Sequence, residues 1–293
     1  SRDRFILAMH KAVEPVGQAR NDIDIFAELA GRLGFRGAYT EGRDEMAWLR
    51  HLYEECRDGA RTNRFAMPDF ETFWNEGYVE VPESDEDRVL FQDFRRDPEG
   101  HRLKTPSGRI EIYSERIAGF GYDDCPPHPT WLEPVEWLGS EKARRHPLHL
   151  ISNQPGTRLH SQMDMGPVSR AAKVKGREAL LIHRCDAAAR GIQSGDVVRV
   201  FNDRGACLAG AVVGEGIVPG VVRLPSGAWY DPEEPERPGS LDKHGNPNVL
   251  TLDKGTSRLG QGSIAMTTLV QIEKWQGEAP PVTAFEPPTI SEG

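Results

Sequence analysis

Residues 244–262 combine side-chain amides and hydroxyls with several glycines, which suits ligand binding better than a simple surface turn. Asn246, Asn248 and Gln261 carry the amides, and Pro247 makes the turn between the two asparagines rigid. An amide both donates and accepts hydrogen bonds, so it can bind the edge of a heterocycle. Glycine lets the backbone approach a ligand closely. The spacing therefore predicts a rigid surface for a ring edge.

Residues 152–162 have the same character and add a cation. The planar guanidinium of Arg158 suits a phosphate group. The other candidate ligand-binding residues here are Asn153, His160, Ser161 and Gln162. Together the two stretches indicate a large polar ligand with ring edges and phosphates. Two simpler readings stay open: a polar loop in which Arg158 pairs with a carboxylate, and an Asn-rich turn capped by its own side chains.

No catalytic residue and no metal ligand is predicted in this chain. His146 and His149 would point to opposite faces of a strand. His183 and Cys185 are interpreted as the end of a strand without chemistry. The four cysteines are scattered and form no CxxC pair, so they are expected to be isolated thiols in or near cores.

The two stretches resemble the C-terminal part of the molybdopterin oxidoreductases, in the branch of dimethyl sulfoxide, trimethylamine N-oxide and biotin sulfoxide reductases. The HGNPN segment at 244–248, with GTS and QG after it, carries most of the resemblance. Further matches lie at 105–111, 186–192 and 195–205, and looser ones at 12–17 and 24–30. The clear resemblance runs from about residue 105 to about residue 275.

The resemblance implies a bis-molybdopterin guanine dinucleotide cofactor with molybdenum, held in part by a double-psi β-barrel. Residues 152–162 would bind one of its two dinucleotides. The metal would be held by the cofactor and by a serine from a preceding region, which nothing in this chain matches. A start at Ser1 without an initiator Met is expected of a fragment, and the chain alone is expected to be inactive.

The implied parent enzyme removes oxygen from an S-oxide or N-oxide, with N-terminal domains and an electron donor as further partners. One alternative is another molybdopterin oxidoreductase, of the formate dehydrogenase or nitrate reductase type. A second is a non-catalytic double-psi barrel that binds a protein. Exposed aromatic anchors would be expected in that case, whereas the two stretches are polar. A bacterial enzyme of this branch would be periplasmic or cytoplasmic.

Composition and charge exclude some classes of protein. The formal net charge of -9 argues against a nucleic-acid partner. No apolar run approaches the roughly 20 residues needed to span a bilayer. The 22 Pro and 30 Gly indicate many turns and long connections. The acidic run 83–87 is expected to be a solvated loop.

The elements expected to position these stretches give an α+β fold. Helical spacing predicts a mostly helical segment at 1–104, a truncated preceding domain, with helices near 22–33, 43–57 and 69–74. An irregular, Pro-rich connector follows at 105–145, with one short strand at 109–113. Residues 146–275 are predicted to form the barrel and 276–293 a loose tail. The predicted barrel elements are strands at 148–152, 179–183, 196–202, 206–213, 221–224 and 264–273, with a one-turn helix at 186–190.

Overall fold

The computed structural model describes residues 4–62, 65–83 and 89–287. The chain forms two compact units, Ser1–Lys104 and Thr105–Gly293. Most of the acidic run 83–87 and the last residues of the tail, 288–293, lie outside the described residues. The mixed α+β class is confirmed. No helix in the described ranges is both long and apolar enough to cross a membrane.

The first unit is built from helices around a small aromatic core. Its elements are β1 (Phe5–Leu7), α1 (Asp22–Arg32), α2 (Arg36–Thr40), α3 (Glu45–Thr62), α4 (Phe70–Glu76), β2 (Tyr78–Glu80) and α5 (Gln92–Arg96). Asp69 caps α4 by accepting a hydrogen bond from the Thr72 N–H, as a side-chain N-cap does. Tyr53 of α3 stacks on Phe73 of α4 with ring centroids 4.4 Å apart, so the amphipathic faces of the two helices form the core.

This unit differs from the sequence prediction in the end of one helix and in four elements that were not predicted, among them the short helices α2 and α5. Helix α3 continues to Thr62, five residues past the predicted end near 57. Strands β1 and β2 were not predicted; they pair antiparallel, with Ile6 opposite Val79. Three-residue strands so far apart in sequence leave no local periodic signal, so their pairing depends on the intervening helices folding back.

Among the described residues of the second unit, six strands form a closed barrel, which confirms the predicted double-psi β-barrel. The strands are β3 (Leu148–Ile151), β4 (Ala179–His183), β5 (Val197–Phe201), β6 (Ala206–Gly214), β7 (Val221–Arg223) and β8 (Thr268–Lys274), in the spatial order β3-β7-β4-β6-β5-β8. Two pairs, β3 with β7 and β4 with β6, are parallel, and the other four are antiparallel. The predicted hairpin of β5 and β6 is confirmed.

The barrel core follows from the strand patterns. Strands β4 and β5 alternate buried and half-buried residues, as strands with one covered face do. The first six residues of β6 are all buried, so both faces of this part of the strand are covered. The Asp242 N–H donates to the Ala206 carbonyl, and the Gly210 N–H donates to the Glu178 carbonyl. Residues 178 and 242 therefore pair with β6 along its edge, and Val174 lies against Gly210.

Strand directions place three connections at one end of the barrel, called here the loop end: 152–178, 202–205 and 224–267. Ile151, the last residue of β3, pairs with Arg223, the last residue of β7. Leu150 lies opposite Thr268, the first residue of β8. Residues that leave β3 and residues that enter β8 therefore emerge side by side. The two polar stretches of the sequence both lie at this end.

The predicted strand at 109–113 is wrong. Residues 105–109 form a turn in which the Thr105 hydroxyl donates to the Arg109 carbonyl. Ile110 and Ile112 are largely exposed, so their alternation with polar residues does not mark a buried face. The same region holds a four-residue helix, α6 (Glu115–Ala118), with Ser114 as its N-cap.

The Pro-rich region 105–145 is tied to the barrel by Glu136. This buried carboxylate accepts hydrogen bonds from both terminal nitrogens of Arg204, at 2.6 and 3.0 Å, and from the Leu269 N–H at 2.9 Å. Arg204 belongs to the β5–β6 turn and Leu269 to β8. Burial disfavours the charged form of Glu136, but bonds from Arg204, Leu269 and Lys142 outweigh it and lower its pKa to about 2.

The remaining helices of the second unit are short, and two of them, Glu141–Arg144 and Pro247–Val249, are 3-10 helices. The other two are α-helices. They are α7 (Pro167–Ala171) and α8 (Arg184–Ala188). Helix α8 begins two residues before the predicted start because His183 acts as its N-cap: its Nδ1 accepts from the Cys185 N–H. The segment after Gln276 is not a loose tail as far as residue 287. The Arg177 guanidinium donates to the Pro280 carbonyl, and the Thr283 N–H donates to Asp231.

Candidate functional site

Arg158 is the anchor of the loop at 152–162. Its side chain is only 1% exposed. Nε donates to the His160 carbonyl, Nη1 to the Ser169 hydroxyl, and Nη2 to Glu178 and to the Ser226 carbonyl, at 3.0–3.1 Å. The guanidinium is thus used inside the protein, whereas the sequence analysis predicted a fork free for phosphate. Pairing with a carboxylate, the simpler of the two readings, describes its observed contacts.

This anchor belongs to a compact cluster of four buried charges. Lys173 Nζ lies 2.9 Å from Asp164 and 2.8 Å from Glu178, and both carboxylates also face Arg158. Two cations and two carboxylates balance, which is what buried charges require. Burial disfavours ionisation of Asp164, but Lys173, the Trp229 N–H and Arg158 together lower its pKa. The cluster connects the 152–178 connection to β4 and to the 225–229 segment.

The predicted binding residues of this loop lie on its outer side. His160, Ser161 and Gln162 are exposed. His160 has a left-handed backbone with φ of 50°, a conformation that costs a non-glycine residue roughly 1–2 kcal/mol. Gln154 holds it there: its Oε1 accepts from the His160 N–H, and its amide nitrogen lies 2.9 Å from the His160 Nδ1. Strain of this kind clusters at binding sites.

Asn153 provides a direct test of fit to a ligand. Its Nδ2 donates to the Gln154 carbonyl, while its Oδ1 is buried without a hydrogen-bond partner. Buried polar atoms are nearly always paired, so an orphaned acceptor in a candidate loop is expected to meet a donor from a bound group. Ring N–H and amino groups of a pterin or guanine are such donors. The loop therefore fits the predicted class of ligand at this position.

Gly227 fixes how closely this loop approaches the next connection. A Cβ at this position would lie 1.9 Å from the His160 carbonyl oxygen, and its φ is 90°. Both facts require glycine. The Trp229 indole donates to the Ser161 carbonyl at 2.8 Å, next to that approach. Segment 225–229 thus supports the back of the exposed residues 160–162.

The turn at 244–248 is organised by Asp242, which the sequence analysis missed. Its Oδ1 accepts from three successive backbone N–H groups, those of His244, Gly245 and Asn246, at 2.7–3.2 Å. Its Oδ2 accepts from the Asp231 N–H at 2.8 Å. Burial raises the pKa of Asp242, and the backbone N–H groups act against that rise. An Asp two residues before a polar Gly-containing turn is an Asx-type signal, and that pattern is visible in the sequence.

The two predicted asparagines of this turn have different surroundings. Asn246 is buried, and its Oδ1 accepts from the Asn248 N–H at 2.9 Å. That contact is the self-capping turn considered as an alternative above. Asn248 is exposed, so its amide faces outward. Gly245, with φ of 98°, lies against Glu178, where an added Cβ would come within 2.8 Å of the Glu178 Cβ.

The first loop and this turn share partners, so the structure brings them together. The His244 carbonyl accepts from the Glu178 N–H, and Glu178 in turn binds Arg158. The His244 Nδ1 lies 2.9 Å from the Trp229 carbonyl and 3.8 Å from Asp164. Burial and the nearby Lys173 lower the pKa of His244, which favours the neutral ring. Its Nε2 is buried and without a hydrogen-bond partner.

Gln261 lies in a separate small turn. Its Nε2 donates to the Ser257 carbonyl, and the Thr256 and Gly262 backbones pair across the turn. Arg258 holds this turn against residues 122–124 by ion pairs with Asp123 and Asp124 and by its position 4.7 Å from the Tyr122 ring centroid. Gln261 is exposed at the loop end, but its observed contacts lie within its own turn. In the described ranges no group of three or more His, Cys, Asp or Glu could hold a metal ion.

The chain is similar to known proteins. Residues 148–269 match the molydopterin dinucleotide binding domain. The chain is 50% identical over 98% of its length to a dimethyl sulfoxide/trimethylamine N-oxide reductase of Cereibacter sphaeroides, and covers 35% of that protein. It is 52% identical over 95% of its length to a biotin sulfoxide reductase of the same organism, and covers 37% of it.

A solved structure supports the fold. Acetylene hydratase from Pelobacter acetylenicus superposes with a TM-score of 0.66 at 22% identity, covering 93% of this chain and 35% of that one. The chain spans about a third of the length of the curated relatives it matches. Over nearly its whole length the chain is therefore homologous to part of the dimethyl sulfoxide, trimethylamine N-oxide and biotin sulfoxide reductases, and it contains a molydopterin dinucleotide binding domain.

Proposed function

We propose that the loop end of the barrel binds a molybdopterin guanine dinucleotide, in an enzyme that reduces an S-oxide or N-oxide. The observation that carries this proposal is the convergence of 158–162 and 244–248 on the shared residues Glu178 and Trp229. The match of residues 148–269 to a dinucleotide binding domain supports it.

The residues divide by role under this proposal. Asn153, His160, Ser161, Gln162 and Asn248 present free or exposed polar groups and would hold the dinucleotide by hydrogen bonds. Arg158, Asn246 and Gln261 have their observed hydrogen bonds inside the protein and would position those groups. We therefore assign Arg158 an indirect role in cofactor binding. Asp242 and Gln154 join the positioning set.

The bound cofactor would supply the oxygen-atom transfer and the electron exchange. For a sulfoxide the overall balance is R2SO plus two electrons and two protons giving R2S and water, with a low-potential reductant as electron source. The residues described above bind and orient the cofactor, and they exclude water from the buried base of the loop. The N-terminal partner domains and the electron donor of this enzyme belong to the same proposal.

The test is the cofactor content of the full-length protein. We expect molybdenum and guanine nucleotide in a fixed ratio in the purified protein, and loss of both in a Ser161→Ala/Gln162→Ala double variant. Arg184→Ala is the matched control, because Arg184 forms an exposed ion pair with Glu215 away from the loop end. Protein free of both molybdenum and guanine would sink the proposal and favour the protein-binding module.

The substrate class is tested separately. With reduced viologen, we expect oxidation of the dye by dimethyl sulfoxide, trimethylamine N-oxide or biotin sulfoxide, which are the oxides in the relatives' names. Protein that holds the cofactor but reduces nitrate or oxidises formate, and none of the three oxides, would instead support the alternative within the superfamily.

A further inference from the structure

The segment 280–287, called here the strap, lies beyond the matched binding domain and is held against the loop end by Thr283. The Thr283 N–H and hydroxyl donate to the two oxygens of Asp231, at 2.7 and 2.6 Å. Lys243 Nζ donates to the Thr283 hydroxyl at 2.7 Å and lies 3.2 Å from Asp231. One threonine thus completes a buried network.

This network leads directly to the 244–248 turn. The Asp231 N–H donates to Asp242, whose other oxygen gathers the N–H groups of residues 244–246. The Lys243 N–H donates to the Asp231 carbonyl, so the backbones on both sides of Asp231 and Asp242 are paired. A shift of Asp231 would therefore move the carboxylate that shapes the turn.

Phe285 makes the second connection and reaches both loops. Its ring lies edge-on to His244, with centroids 5.0 Å apart, and to Trp229, at 5.6 Å. Arg170 lies over the same ring, 5.6 Å from its centroid. Trp229 holds the Ser161 carbonyl, and Arg170 follows Ser169, which binds Arg158. One aromatic ring therefore contacts the supports of 158–162 and of the turn.

We propose that the strap fixes the two loops in the arrangement that the dinucleotide needs, with Thr283 and Phe285 as positioning residues. This inference rests on the proposed function, since the ligand is the same. A strap that served only the stability of the barrel would contact the core. Instead, Thr283 and Phe285 contact Asp231, Lys243, Trp229, His244 and Arg170, all of which belong to connections of the loop end.

The experiment compares Thr283→Ala, Thr283→Ser and Phe285→Ala in the full-length holoprotein, with Arg184→Ala as control. The first readout is the rate at which guanine nucleotide and molybdenum are lost on dialysis. The second is amide hydrogen exchange of peptides covering 242–250 and 158–169, with peptides from β3 and β5 as internal reference. Thermal unfolding shows that each variant is folded.

We expect Thr283→Ala and Phe285→Ala to lose the cofactor at least five-fold faster than wild type. Exchange should rise in 242–250 and 158–169 while β3 and β5 are unchanged. Thr283→Ser keeps the hydroxyl and should behave as wild type, which a purely steric role would not require. If Thr283→Ala and Phe285→Ala are folded but retain the cofactor and exchange amide hydrogens as wild type does, the proposed role of the strap is wrong. If the wild-type protein holds no cofactor, the proposed function is wrong. The hydrogen-exchange data would then still show whether the strap positions the two loops.

Discussion

Arg158 Nη2 lies 3.0 Å from the Glu178 carboxylate, with both side chains buried beneath the loop they support. This pair joins the 152–162 loop to the residue that also binds the His244 backbone. A guanidinium that looks like a phosphate ligand in the sequence is therefore the structural link between the two candidate binding segments. Substitution of Arg158 is therefore expected to change the position of the loop.

Arg158→Ala is expected to destabilise the second unit and to reduce cofactor content. Removing one partner of a buried ion pair leaves an uncompensated charge, which costs about 3–5 kcal/mol. Arg158→Lys should rescue little, because an ammonium group cannot reproduce the fork that reaches His160, Ser169 and Glu178 at once. Urea denaturation and molybdenum analysis measure the two effects. A change below about 1 kcal/mol in either variant would contradict the burial of this side chain.

Gly227→Ala is expected to displace residues 160–162. The new Cβ would meet the His160 carbonyl oxygen, and the positive φ adds roughly 1–3 kcal/mol of backbone strain. Gly191→Ala is a matched control, since Gly191 also has a positive φ but open space around it. The difference between the two free energies of unfolding isolates the close approach. Equal losses in both variants would show that His160 is not fixed by Gly227.

Asp242→Asn is expected to open the 244–248 turn. The amide nitrogen would face either the Asp231 N–H or the N–H groups of the turn, so at least one buried donor loses its acceptor. An unsatisfied buried group costs about 1–3 kcal/mol. Hydrogen exchange at Gly245 and Asn246 should accelerate in the variant. If both amides are protected from exchange as in wild type, Asp242 does not organise the turn.

Glu136 is expected to make stability depend on pH in the acid range. Its pKa in the folded protein is about 2, below the value of roughly 4.3 in an unfolded chain. Its stabilisation is therefore fully present above about pH 4.3 and is lost as pH falls towards 2. Glu136→Gln should unfold more easily at pH 6 and show a flatter profile between pH 4.3 and 2. Parallel profiles of the variant and wild type would indicate that another carboxyl dominates.

Strands with a local signal were predictable from the sequence. The bounds of β4 at 179–183 and the hairpin of β5 and β6 follow from short runs rich in Val, Ile and Leu and from the turn at 202–205. The same reasoning failed at 109–113, because the alternation of Ile110 and Ile112 has no neighbouring strand to pair with. Alternation reports a pattern of side chains, whereas a strand also needs backbone partners.

The two candidate stretches were recognisable in the sequence, but the contacts of each residue in them were not. The glycine-rich polar stretches were recognised as candidate ligand-binding loops because neutral amides among glycines suit a ligand. The burial of Arg158 depends on Asp164, Lys173 and Glu178, which reach it only after the 152–178 connection folds back. The contacts of Phe285 were not predicted, because a Pro-rich segment after the last strand resembles a loose tail. Long-range packing decides these roles, and no window of the sequence displays it.

Strand β8 pairs with both β3 and β5, so the barrel closes only with its last strand. During synthesis β3 is the first barrel strand to leave the ribosome. Its edge that pairs with β8 stays unpaired until residues 268–274 have been made. Non-local pairing of this kind is slow, and open edges invite association with other strands. Until β8 pairs with β3, nothing holds the residues that follow β3 next to those that precede β8. Under the proposed function, insertion of a dinucleotide between them would therefore follow the synthesis of β8.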